Sequence, residues 1–378
     1  MITASMLVDV YIDINILLLF ACFLGLISTL LLRVMGLGHA VSVRLGLLRW
    51  GFLAVLTIPV AVSLLSNLQG AIVGFNLSDF IVAQYLQGRF QIDPFTLDSM
   101  LSLRDQTTTA IMKPEGWVTL VLGALVLGGI LLHLGRLLLA WMMLRRVMRE
   151  SYLWRRFGRI ELRLSDTVSV PFSTRSPGRR YVVLPSKMLA RADDLRIALG
   201  HEFQHLRQGD VEWEIGLELL RPFFFWNPAF HIWKSQVEET RELSCDRRLI
   251  ARRKLGVAAY CQCLLRVCDD SLTPRRLFAV NMPVVGLLTV ERRHNAPRSA
   301  GLLMRRMEAL VEAQAEPKSA RLSLLLFLPL AMLTLVAALG IQSSGDWSQD
   351  RLMLSTIINL ERLEALNETI PSLKVPGW

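Results

Sequence analysis

The stretch LRIALGHEFQHLRQGD, residues 195–210, carries two histidines four positions apart, with a glutamate directly after the first. Leu195, Leu199, Phe203 and Leu206 recur at helical spacing, Asp193 or Asp194 can cap the start, and Gly209 ends the segment. The string therefore falls on the C-terminal half of a helix. Residues four apart on a helix share one face, about 6 Å apart at Cβ, so His201 and His205 can each turn a nitrogen toward a single ion. A catalytic zinc holds three protein ligands and keeps a fourth position open for water. Glu202, beside the first histidine, is then placed to act as general base on that water.

The third ligand has to come from a helix packed against the first. EETRELSCD (238–246), inside a helical stretch from about 229 to 253, supplies the acids. Glu242 and Asp246 are themselves spaced i, i+4 and share a face. One can bind the ion while the other accepts the remaining N–H of a ligating histidine and so fixes its tautomer. Spacing does not divide those two roles, and Glu238 and Glu239 stay in play. No residue stands out as the donor to an oxyanion; His231 and Tyr260 are the two considered.

Upstream of the histidines the pattern is that of a small sheet. IELRLSDTVSV (160–170) alternates apolar and polar residues and reads as a strand, PFSTRSPG (171–178) as a loop, and RRYVVLP (179–185) as a second strand. The expected arrangement is an antiparallel hairpin whose exposed edge pairs with a substrate strand. Pro222 and Pro228 bracket FFFWN (223–227), an aromatic turn suited to a membrane surface.

Outside this region the chain is apolar: 52% of its 378 residues are hydrophobic and the mean hydropathy is +0.41. Runs at 15–32, 50–65, 117–135 and 322–341 are each of a length to bridge a hydrocarbon core of about 30 Å as a helix. Charge alternates between them. The connection 33–49 holds Arg33, Arg44 and Arg49 and no acid, 145–321 carries 32 bases against 20 acids, and the other segments are acidic. The positive-inside rule puts the N-terminus, residues 66–116 and the tail outside, and 145–321 in the cytoplasm. The net charge of +10 thus follows topology, and no direct nucleic-acid binding is expected. Arginines such as those in RRVMRESYLWRR (145–156) would meet anionic lipid headgroups. Cys22 lies in a span and the other four cysteines lie in 145–321, so no external disulfide is available.

The expected fold is a membrane protein, mainly α, with four transmembrane helices and a cytoplasmic α+β zinc metallopeptidase domain. Its segments are 1–65 (two spans and a basic loop), 66–116 (external loop), 117–144 (third span), 145–321 (metallopeptidase domain), 322–341 (fourth span) and 342–378 (external tail). The order of spans, VSVPF and YVVLP ahead of HEFQH, the trailing Asp210, the FWNP turn and ELSCD together resemble the BlaR/MecR-type antirepressor metallopeptidases, over about residues 1–341. That resemblance implies a gluzincin-like site: His201, His205 and Glu242 as zinc ligands, Glu202 as base and Asp246 as the carboxylate behind a ligand. It also implies a bacterial inner-membrane protein of the antibiotic response that cleaves itself and a cytoplasmic DNA-binding repressor, with membrane lipid and a second copy of the chain as further partners. One departure is that only about 37 residues follow the fourth span, without the penicillin-binding sensor domain and its Ser-x-x-Lys motif. DRLMLSTIINLERLEAL (350–366) there reads as an amphipathic helix that lies on the membrane or packs on 66–116. A membrane-protein quality-control protease and a scaffold with a purely structural zinc are the rival readings.

Overall fold

The computed structural model describes residues 4–34, 36, 40–69, 77–89, 92–113, 116–253, 255–272, 285–286, 296–311, 320–341 and 349–369. These residues form two compact units. One comprises residues 22–50 and 125–327; the other comprises 1–21, 51–124 and 328–378.

The chain begins with α1 (Ala4–Val34), α2 (Val41–Gln69), α3 (Leu77–Leu86), α4 (Pro94–Met112) and α5 (Trp117–Glu150). Among the described residues, three stretches are long and apolar enough to cross a membrane: α1, residues Val41–Leu65 of α2, and α5.

Five strands follow in part: β1 (Tyr152–Phe157), β2 (Ile160–Ser165), β3 (Phe172–Ser176), β4 (Arg179–Pro185) and the two-residue β5 (Val285–Gly286), in the sheet order β1-β2-β4-β3-β5. The expected antiparallel hairpin is not what forms. β2 and β4 pair in parallel, Leu162 opposite Val182 and Leu164 opposite Leu184. The stretch read as a loop contains β3, which makes the antiparallel hairpin with β4, and β4 is thereby inserted between β2 and β3. YLWRR, read as a basic run against lipid, is strand β1, antiparallel to β2. The sheet is mixed, not antiparallel. Its two faces divide by alternation. Leu162, Leu164, Val182 and Leu184 pack on Leu206 and Val211, while Phe172 and Val183 pack with Val168 on Ala140, Leu144 and Val147 of α5.

The helices of this unit are α6 (Ala192–Gln208), α7 (Asp210–Phe224), α8 (Pro228–Arg253), α9 (Val257–Leu272) and α10 (Ala296–Val311). Arg191 is the N-cap of α6 and Asp193 and Asp194 fall in its first turn, where acids favour the positive end of the helix. Gly200 lets α6 approach α8, because a Cβ there would meet Leu249 Cδ1 at 3.0 Å. Gly209 ends α6 at φ 69°, a left-handed conformation that L residues adopt only under strain. Its turn starts α7 at once with Asp210. The aromatic turn packs inward in part: Phe224 stacks on Phe230 at 5.7 Å and Phe225 on His133 at 5.0 Å.

Two last helices are α11 (Ala320–Ile341), whose described apolar part Leu325–Ile341 is shorter than the three spans above, and α12 (Gln349–Thr369). The second unit has its own small core, where Leu354 of α12 meets Val82 of α3 and Leu97 of α4. The tail helix thus packs on the segment 66–116, which carries two helices. Asp93 caps α4 by accepting from Thr96 N at 3.0 Å.

Candidate metal centre

Residues 201 and 205 lie one turn apart on α6, and both imidazoles are fully buried, edge to face with centroids 4.5 Å apart. Each ring is held from behind through Nδ1. His205 donates to Asp210 Oδ2 at 2.6 Å, a partner that the Gly209 turn delivers. Asp210 is in turn gripped by Arg49 of α2, which also donates to Gln208 O at 3.1 Å. Behind His201 stands Tyr260 of α9. Its hydroxyl donates to Asp246 Oδ1 at 2.5 Å, so its oxygen is free to accept from His201 Nδ1 at 2.9 Å. Asp246 Oδ1 also lies 3.3 Å from that nitrogen. Arg306 of α10 clamps Asp246 with Nε on Oδ2 and Nη2 on Oδ1, both at 2.7 Å.

Because both Nδ1 atoms are engaged from behind, the two Nε2 atoms are the ones turned toward each other, 2.9 Å apart. Glu242 completes a triangle, Oε2 at 3.5 Å from His201 Nε2 and Oε1 at 3.7 Å from His205 Nε2. Neither Glu242 oxygen makes a hydrogen bond among the described residues, although both are buried. Bonds of about 2.0–2.2 Å to a tetrahedral zinc separate ligand atoms by about 3.3–3.6 Å. The three spacings bracket that range, so the residues fit a small divalent ion. The electrostatics agree. Burial works to lower both imidazole pKa values, yet the Cys245 sulfur and the neighbouring oxygens raise His201 well above its usual value and push His205 up to about 10. Burial likewise opposes ionisation of Glu242, but His205, His201, Arg306 and Arg241 hold its carboxyl down at about 2.

Glu202 is also fully buried, and neither of its oxygens has a hydrogen-bond partner among the described residues. Burial raises its pKa; His205, His201 and the Ser173 hydroxyl on β3 pull it back without cancelling the effect. Cys245 is buried against the same cluster, within 4.8 Å of the histidines' ligand atoms. Its sulfur lies 3.5 Å from His201 Nδ1, the nitrogen already engaged by Tyr260, and donates to His201 O. It faces the back of the ring, whereas Glu242 faces both Nε2 atoms.

The other acids lie elsewhere. Glu238 pairs with Lys234 at 2.5 Å and Glu239 with Arg305 at 2.9 Å. Of the two oxyanion candidates, Tyr260 is committed to Asp246 and His201, and His231 bonds Phe225 O at 2.7 Å in an exposed position. Sequence reasoning passed over three residues that organise the histidines. Asp210 stood in the quoted string with no role, and Arg49 and Arg306 are 161 and 60 residues away from the aspartates they hold.

A profile of the BlaR1 peptidase M56 family matches residues 53–293, which include every strand and α6 to α9. No curated protein matches the chain.

Proposed function

The chain belongs to the BlaR1 peptidase M56 family, and on that premise we propose that it is an integral-membrane zinc endopeptidase acting in signal transduction, which cuts itself, a cytoplasmic transcriptional repressor, or both. The observation that carries the reading is the pair of buried Nε2 atoms facing each other beside the Glu242 carboxylate. Zinc, held by His201, His205 and Glu242, would polarise the scissile carbonyl and acidify the attacking water when bound. Glu202, buried next to the first ligand, takes the water's proton and returns it to the leaving amine. Asp210 keeps His205 in the Nδ1–H tautomer, and Tyr260 with Asp246 does the same for His201.

Self-cleavage is supported by the chain's own course. β5 lies antiparallel on the outer edge of β3, Val285 opposite Ser173 and Gly286 opposite Phe172, the edge a substrate strand would use. The linker ERRHNAPRSAG (291–301) follows it; its first five residues lie outside the described residues, and α10 begins within it at Ala296. A cut between about 285 and 305 falls ahead of α10 or within its first part, and divides the body of the domain from Arg306 and from α11. Charge alternation supports a bacterial inner-membrane topology with 145–321 cytoplasmic, both termini external and α11 as a fourth span.

Two measurements test this reading. Purified protein is expected to hold about one zinc per chain, retained in Glu202→Gln; a metal-free wild type would refute the centre. Cysteines replacing Met100 and Asp350 should react with an impermeant thiol reagent while Cys245 does not. Labelling of a cysteine at Ala300 but not at Met100 would invert the orientation.

A further inference from the structure

A cavity of about 1030 Å³ opens between α5, the sheet and α7. The α5 wall is Trp141, Leu144, Arg145, Met148 and Arg149; α7 adds Ile215 and Glu212, whose carboxylate is taken up by Arg175 and Arg180. The sheet wall includes Thr174 of β3. Two of its four arginines are already engaged: Arg163 by Ser151 and Glu161, and Arg175 by Glu212. Arg145 and Arg149 have no carboxylate partner among the described residues; Arg145 lies over the Trp141 ring at 3.5 Å. They are spaced i, i+4 and so share one face of α5. Their charge offsets the negative end of the helix and leaves an excess that faces the cavity. Thr174 is 2% exposed, yet its hydroxyl has no hydrogen-bond partner among the described residues. A buried unsatisfied hydroxyl is costly, but this one is closed off within the wall and offers the cavity no donor.

The position along α5 selects the ligand. Arg145 is the first charged residue after the apolar run 137–144 that closes a candidate span, and Arg149 follows about 6 Å further on. Trp141 is of the type that settles at the membrane interface. A soluble anion has no use for the Trp141, Leu144 and Met148 wall, and a neutral lipid has none for two guanidiniums. We propose that this cavity is a binding site for an anionic membrane phospholipid. Arg145 and Arg149 hold its phosphate, and the apolar wall takes the upper acyl chain. None of the lining residues holds or braces the histidines, and the site does not depend on proteolysis.

The test uses the full chain in phosphatidylcholine nanodiscs containing phosphatidylglycerol, with retained lipid counted by native mass spectrometry. Wild type is expected to retain one phosphatidylglycerol. Arg145→Ala with Arg149→Ala should weaken retention roughly thirtyfold, while Arg145→Lys with Arg149→Lys keeps most of it. Arg146→Ala is the control, since Arg146 on the same turn pairs with Glu150 at 2.8 Å; it should leave retention unchanged. Equal losses in Arg146→Ala and the double alanine variant would replace the site with a diffuse basic surface. Displacement by millimolar inorganic phosphate would assign it to a soluble anion, and retention unaffected by the double alanine variant would remove it.

Discussion

The two histidines of the centre are chemically alike but are braced in opposite ways. His205 leans on Asp210, five residues along the chain, and only the outer grip of Arg49 is remote. His201 leans on Tyr260, Asp246 and Arg306, drawn from three other helices. The first brace exists as soon as the turn at Gly209 forms; the second exists only when α8, α9 and α10 have docked. The carboxylates differ accordingly. Arg306, fully buried, holds Asp246 far below the usual carboxylate range against a large burial penalty. For Asp210, burial is countered first by His205 and then by Arg49 and Arg241.

The largest expected effect breaks the assembled brace. Arg306→Met leaves the Asp246 carboxylate buried beside Glu242 without its cation, and such losses cost about 3–5 kcal/mol. Thermal melts in detergent should show it, with Arg306→Lys recovering part. Arg49→Met should cost about 1–2 kcal/mol, because Asp210 keeps His205 and the N-terminus of α7. Equal losses would mean that the two braces are equivalent after all.

Zinc affinity sharpens the contrast at the next level. Glu242→Ala should abolish tight binding, whereas Cys245→Ser should leave it nearly unchanged; the reverse result would move the third ligand to the sulfur. Asp210→Asn should weaken zinc on the order of 10–100-fold, since it removes the carboxylate behind His205. Tyr260→Phe should cost less, because Asp246 is within 3.3 Å to take over the His201 Nδ1–H. Competition with a fluorescent chelator measures all four.

Acid tests the charges beside the centre. Glu214 is buried, and although burial opposes ionisation, Lys234 and Arg241 lower its carboxyl to about 2. A depressed carboxylate stabilises above its unfolded value, near 4.5, and that stability drains as pH falls from there toward 2. The melting temperature of wild type should therefore drop more steeply over that window than that of Glu214→Gln. The smallest effect belongs to Arg266→Ala. Its guanidinium bonds Asp194 at 2.5 Å and is 44% exposed, and the buried Asp194 keeps Arg191 at 3.6 Å, so the loss is partly screened and partly covered. A drop in melting temperature smaller than that of Arg49→Met is expected.

These contrasts also mark what a sequence can disclose. His201, Glu202 and His205 are legible because their meaning is a spacing on one helix, and Glu242 and Asp246 are legible as a pair for the same reason. Which of them faces the histidines' Nε2 atoms is a matter of how α8 lies on α6, and no spacing carries that. Arg306, Arg49 and Tyr260 reach the centre by tertiary packing alone. β3 was illegible for another reason: Ser173 and Thr174 are polar but buried, one near Glu202 and the other in the α5 cavity, so alternation of hydropathy fails where a strand lines two sites. Without β3, β2 and β4 looked like neighbours joined by a loop, and the short connection suggested antiparallel pairing.

The central claim is that Glu202 drives peptide cleavage at this centre and that the chain itself is a substrate. Mapping of newly formed protein termini in cells carrying wild type or Glu202→Gln tests it most directly. The account predicts a wild-type fragment ending between about 285 and 305, loss of a DNA-binding repressor in the same cells, and neither in the Gln variant, which still holds its zinc. The same fragment in equal amount from Glu202→Gln would contradict it and assign the cut to another protease.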